Sequence, residues 1–144
     1  MTNPPFRTEF KPHHGEAVPL ADDILRVTAP NSGPFTFHGT NSYIVGEKSL
    51  VVIDPGPDED THLNTLLDAI DGRPVTHIAV THTHMDHSPL ARKLAKITGS
   101  TIVAEGMHRA ARDLHIGEQN PLDAAADRDF EPDAIIEHGQ LIKG

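Results

Sequence analysis

Apolar and polar residues alternate along Ile24-Leu25-Arg26-Val27-Thr28, the two-residue period of a half-buried strand. Pro30-Asn31-Ser32-Gly33-Pro34 then reads as a loop, and Asn41-Ser42-Tyr43-Ile44-Val45-Gly46 and Leu50-Val51-Val52-Ile53 as the arms of a hairpin. Asp54-Pro55-Gly56-Pro57 stops the second arm. Beyond it the period changes: Leu63, Leu66, Leu67 and Ile70 fall at i, i+3, i+4 and i+7, one apolar stripe on a helix of about three turns. Gly72 and Pro74 close that helix, and Val75 to Thr81, with Ile78, Ala79 and Val80 at its centre, predicts a short strand. Ser88-Pro89 predicts the next helix start, Ser as the cap and Pro in the first turn. That helix runs to about Thr98, with Leu90, Leu94 and Ile97 on its buried face and Gly99 as its stop. Thr101-Ile102-Val103-Ala104 is a further strand. Met107, Ala110, Ala111 and Leu114 repeat the helical stripe, and Ala134-Ile135-Ile136 is a last short strand.

The flanks read differently. Residues 1–20 are rich in Pro and polar side chains and predict an irregular arm, leaving 21–144 as the folded unit. The acidic stretch from His115 to Asp133 contains Pro121 and Pro132 and few large apolar residues, which predicts a long loop of the kind that lies over sites. Strands alternating with helices give an α/β class.

Composition narrows the function. A chain of 144 residues with 37% hydrophobic and 23% charged side chains has room for one folded domain. Its net charge of −9, with no Lys/Arg cluster, weighs against nucleic acid as a partner, although divalent ions can hold phosphates without basic side chains. With no cysteine, any transition-metal site must use His and carboxylates. The first residues lack the apolar run of a signal peptide and no 18-residue apolar stretch occurs, so no membrane association and a cytoplasmic location are the expectations.

The chemistry concentrates in His82-Thr83-His84-Met85-Asp86-His87. Residues two apart on a strand share a face, so His82 and His84 can grip one metal ion, while Asp86 and His87 follow at the turn into a helix and can serve a second. The string lies beyond the carboxyl end of a strand, where α/β proteins commonly place their sites.

Thr81-His82-Thr83-His84-Met85-Asp86-His87 resembles the signature of the metallo-β-lactamase superfamily. Asp54-Pro55-Gly56 looks like its upstream aspartate motif, and Phe37-His38-Gly39-Thr40-Asn41-Ser42-Tyr43 is similar to the opening of its β-lactamase-like, glyoxalase II-like subgroup. The resemblance runs from about Ile24 to the last residue. It implies half of an αββα sandwich, one sheet with flanking helices, with His82 and His84 on a first zinc ion and Asp86 and His87 on a second. It further implies that Asp86 orients the bridging water, that Asp54 supports the ligands from behind, and that His38 lies near the mouth of the site. The implied activity is hydrolysis of a small-molecule substrate by a metal-bound hydroxide, with iron or manganese as alternatives to zinc.

The superfamily pattern continues with a third His for the first metal, a bridging Asp and a late His for the second. His108, His115 and His138 are the histidines left after the cluster, and none has a matching context. The chain therefore reads as the N-terminal half of a truncated domain, whose open sheet is expected to be covered by self-association or by the missing half. Two other readings stay open: an inert or binding half-domain with a partial metal site, and a mono-iron dioxygenase of the same fold. For His62, on the polar side of its helix, His77 on a strand and His13-His14 in the arm, surface or structural roles suffice.

Overall fold

The computed structural model describes residues 7–110 and 112–143. Seven strands form one sheet in chain order: β1 (Ala17–Ala21), β2 (Ile24–Thr28), β3 (Asn41–Val45), β4 (Leu50–Ile53), β5 (Val75–Ala79), β6 (Thr101–Ala104) and β7 (Ala134–Ile135). The first four pair antiparallel and the rest parallel. Helix α1 (Asp60–Ile70) joins β4 to β5 and α2 (Leu90–Thr98) joins β5 to β6. This is the expected α/β class, one sheet with flanking helices.

Alternation decides which face each side chain takes. Ile44, Leu50, Val52, Ile78 and Ile102 point to one face and are almost wholly buried with Leu66 of α1 and Leu90 and Leu94 of α2. Full burial of each such side chain is worth about 1.5–3 kcal/mol, so this layer fixes both helices against the sheet. Tyr43, Val45, Val51 and Ile53 alternate with them on the opposite face and are only half-buried. Parallel pairing brings the carboxyl ends of β4, β5 and β6 to one edge, where Asp54, the Thr81–His87 loop and Glu105 emerge together.

Several expectations are corrected. Ala17–Leu20 belong to strand β1 rather than an irregular arm, and residues 1–6 of that arm lie outside the described residues. Ile97 is 55% exposed, so the buried face of α2 is Leu90, Ala91, Leu94 and Ala95. Ser88 is not the cap of α2; Pro89 occupies that position in helical conformation, and the Ser88 hydroxyl donates to Asp127 Oδ2 at 2.6 Å. The stripe at Met107, Ala110 and Leu114 forms no helix among the described residues, and Met107 and Leu114 are exposed. Ala111 of that stripe lies outside the described residues.

The segment after β6 instead runs irregularly to a single 3-10 turn, Pro121–Ala125, and Phe130 beyond it is buried in the core. No helix of the described residues is long and apolar enough to cross a membrane.

Candidate metal centre

Asp54 stands at the end of β4 with φ 50, a left-handed conformation rare outside glycine. It is 6% exposed, and both carboxylate oxygens are engaged. Oδ1 accepts the Thr81 backbone N–H at 2.8 Å, while Oδ2 accepts the Thr81 hydroxyl at 2.6 Å and the His87 Nδ1 proton at 2.9 Å. Burial by itself would raise the Asp54 pKa, but the hydrogen bonds from His87 and Thr81 outweigh it and hold the carboxyl below its ordinary value. Gly56, at φ 96, ties the same loop to the His cluster: its N–H donates to the His87 carbonyl at 2.9 Å, and its carbonyl accepts from the Leu90 N–H at 3.1 Å.

The cluster converges. His82 and His84 ring centroids lie 4.9 Å apart, His82 and His87 4.0 Å. Two sets of side chains could each bring one donor atom per residue within 4.8 Å of the others: His82, His84 and Asp86, and Asp54, His82 and His87. His82 belongs to both. This allocation differs from the pairing by sequence order, since Asp86 joins the first two histidines and Asp54 joins His82 and His87. Burial and the neighbouring His87 and His84 rings lower the His82 pKa, which favours the neutral, ligating form of the ring. For His87, burial works downward, but the Asp54 hydrogen bond and the Asp86 charge prevail and raise it. Nitrogen and carboxylate oxygen donors in these sets fit a borderline ion such as zinc.

The hydroxyl of Thr83, between the two histidines, meets His108 Nδ1 at 2.9 Å. His108 Nε2 meets Asp123 Oδ1 at 3.0 Å. The Met85 N–H donates to Ala125 O, the Asp127 N–H donates to Thr83 O, and Ser88 bonds Asp127, so the 105–128 segment is strapped to the back and side of the His loop. Between strap and loop lies a cleft of about 740 Å³, walled by Phe35, Met85, Pro121 and Leu122 and opening on His82, His84, Asp86 and His87.

Other predicted residues fall outside this convergence. His38 packs between Phe10 and Phe37, with ring centroids 5.7 and 4.1 Å away, and joins neither donor set. His115 and His138 are exposed and, like His108, join neither set. His62, expected on the polar side of α1, is 1% exposed and bonded to Ser42. Burial pushes its pKa down to about 4. A signal for it exists in the sequence, because 62, 66 and 70 share one helical face.

Residues 35–143 match the profile described as the Metallo-beta-lactamase superfamily. Over 74 residues the chain is 38% identical to an atrochrysone carboxyl ACP thioesterase from Pseudocercospora fijiensis, covering 48% of this chain and 22% of that protein. Over 97 residues it is 32% identical to a lactamase-like protein from Pestalotiopsis microspora, covering 65% of this chain and 30% of that one. The chain thus spans less than a third of the length of these relatives. A solved metallo-beta-lactamase from Cronobacter sakazakii superposes with a TM-score of 0.61 at 19% identity, over 87% of this chain and 49% of that one, a likeness of fold. Together with the strand-end His cluster, the profile match over residues 35–143 makes this chain a member of the metallo-β-lactamase superfamily.

Proposed function

We propose that the chain carries the metal-binding half of a zinc-dependent hydrolase that cleaves an acyl ester or thioester. The carrying observation is the convergence of His82, His84 and Asp86, and of Asp54, His82 and His87, at the carboxyl ends of the parallel strands. Zinc bound by His82, His84, Asp86 and His87 would polarise a carbonyl and lower the pKa of water.

The chain's own residues do the rest. Asp54 and Thr81 orient the His87 ring from behind, as carboxylate partners of ligating histidines do. Asp86, 28% exposed at the cleft and 3.2 Å from His87 Nε2, is placed to orient the attacking water. Phe35 and Leu122, 89% and 52% exposed, face the same cleft and are placed to take an apolar acyl group and exclude water.

The cleft lining favours an acyl group: Phe35, Met85, Pro121 and Leu122 stand beside the His cluster. The relatives described as acyl carrier protein thioesterases support an acyl carbonyl as the reacting centre.

The test is turnover by the reading frame that contains this chain, after zinc reconstitution, on an acyl thioester, an acyl ester and bis-p-nitrophenyl phosphate. Acyl substrates should be favoured. A preference for the phosphodiester, or activity that survives chelation, would overturn the reading.

A further inference from the structure

Behind the sheet edge lies a buried polar chain that the proposed chemistry does not touch. Ser42 of β3 is 0% exposed and His62 of α1 is 1% exposed. The Ser42 hydroxyl donates to the Asp54 backbone carbonyl at 2.6 Å and lies 2.9 Å from His62 Nε2. His62 also meets the Pro55 carbonyl, so its ring ties Ser42 to the turn that follows Asp54.

We propose that His62 and Ser42 are positioning residues for the metal centre, holding the left-handed backbone of Asp54 and thereby the His87 ring. This rests on the reading of His87 as a metal ligand. Asp54 is followed by Pro55, which has no N–H, so the peptide unit between them carries only an acceptor. Ser42 supplies the donor to that acceptor. The preceding peptide unit is fixed by the Asp54 N–H to Ala79 O at 2.9 Å. With both peptide planes held, a non-glycine residue at φ 50 keeps its carboxylate on Thr81 and His87.

A second path runs through packing. A Cβ on Gly56 would lie 3.2 Å from two atoms of the His62 ring, so the ring fills the space beside the residue whose N–H holds the His87 carbonyl. His62 therefore backs both sides of the Asp54-Pro55-Gly56 turn. An apolar pair at 42 and 62 would fill the core as well, but would leave the Asp54 carbonyl buried without a donor.

The experiment compares Ser42→Ala, His62→Phe and His62→Gln with the unaltered chain, using zinc alone as the probe. Zinc affinity is read by competition with a chromophoric chelator, and the His87 Nδ1–H resonance is followed by NMR in metal-free protein. Ser42→Ala and His62→Phe should each weaken zinc about tenfold and shift or broaden that resonance. His62→Gln, whose amide can both donate and accept, should stay within about twofold of the unaltered chain. Lower melting temperature with unchanged zinc affinity and an unchanged His87 resonance would overturn the proposal, as would equal losses in His62→Phe and His62→Gln. If Ser42→Ala does not fold, the two His62 variants decide. If no form binds zinc, the metal reading fails while the NMR comparison still decides the relay.

Discussion

The two walls of the cleft are held by different physics. On the strand side, Asp54 is 6% exposed and binds Thr81 and His87 with both carboxylate oxygens. On the strap side, Asp123 is 30% exposed and shares its carboxylate between His108 and Arg128. Removing one partner of a buried pair costs about 3–5 kcal/mol, whereas an exposed pair contributes at most about 1 kcal/mol. The strand side is thus built for fixed geometry, and the strap side for a wall that can differ without disturbing the donors.

The sharpest break of that contrast is at the donors themselves. His84→Ala or Asp86→Ala should lower turnover of the zinc-loaded protein by more than about a hundredfold, with little change in melting temperature, because both lie on a loop beyond the core. Near-full turnover with unchanged metal content would remove the strand side from the chemistry.

Asp54→Ala comes next. It leaves the Thr81 N–H and the half-buried His87 without their acceptor and should destabilise the fold by about 2–4 kcal/mol in urea denaturation. A loss below about 1 kcal/mol would make Asp54 no different from Asp123.

The pH dependence tests the buried layer behind Asp54. His62 is neutral when folded, with its pKa pushed down to about 4 from 6.5. Between those values the unfolded chain binds the extra proton, so this stability is full above pH 6.5 and is lost as pH falls towards 4. Across that window the loss approaches about 3 kcal/mol. His62→Phe should flatten this part of the stability curve, and an unchanged slope would contradict the burial. Asp54 adds a loss at lower pH, since its depressed pKa stabilises the fold above the ordinary carboxylate value and ceases to as pH falls through the folded value.

Smallest is the strap. Asp123→Ala should leave the urea midpoint nearly unchanged yet raise KM for a long acyl substrate, because the Pro121–Ala125 turn lines the cleft. A fall in kcat with KM unchanged would place the strap in the chemistry.

Sequence pattern revealed the strand side and not the strap, for physical reasons. Strands β2 to β6 and both helices carry their period because one face is buried, and the His string follows a strand whose end is fixed by that burial. Strand β1 escaped notice because an edge strand needs no inward stripe and tolerates Pro19. The 107–114 stripe misled: two of its four members are alanines, which offer little area to bury, and ion pairs from Arg109 to Glu105 and from Arg112 to Glu118 accompany an irregular path. Asp127, which receives the Ser88 hydroxyl from 39 residues away, has no local signature at all. The Asp54-Pro55-Gly56 motif pointed to Asp54 behind the ligands, but its grouping with His82 and His87 in one donor set depends on strand pairing.

Because His82 belongs to both donor sets, it gives the most direct measurement. Zinc retained per chain should be determined by elemental analysis, after dialysis against metal-free buffer, for the unaltered protein and for His82→Ala. Zinc should stay with the unaltered protein and be lost from the variant while the fold persists. Equal zinc in both, or none in the unaltered protein, would contradict a metal centre at the end of β5.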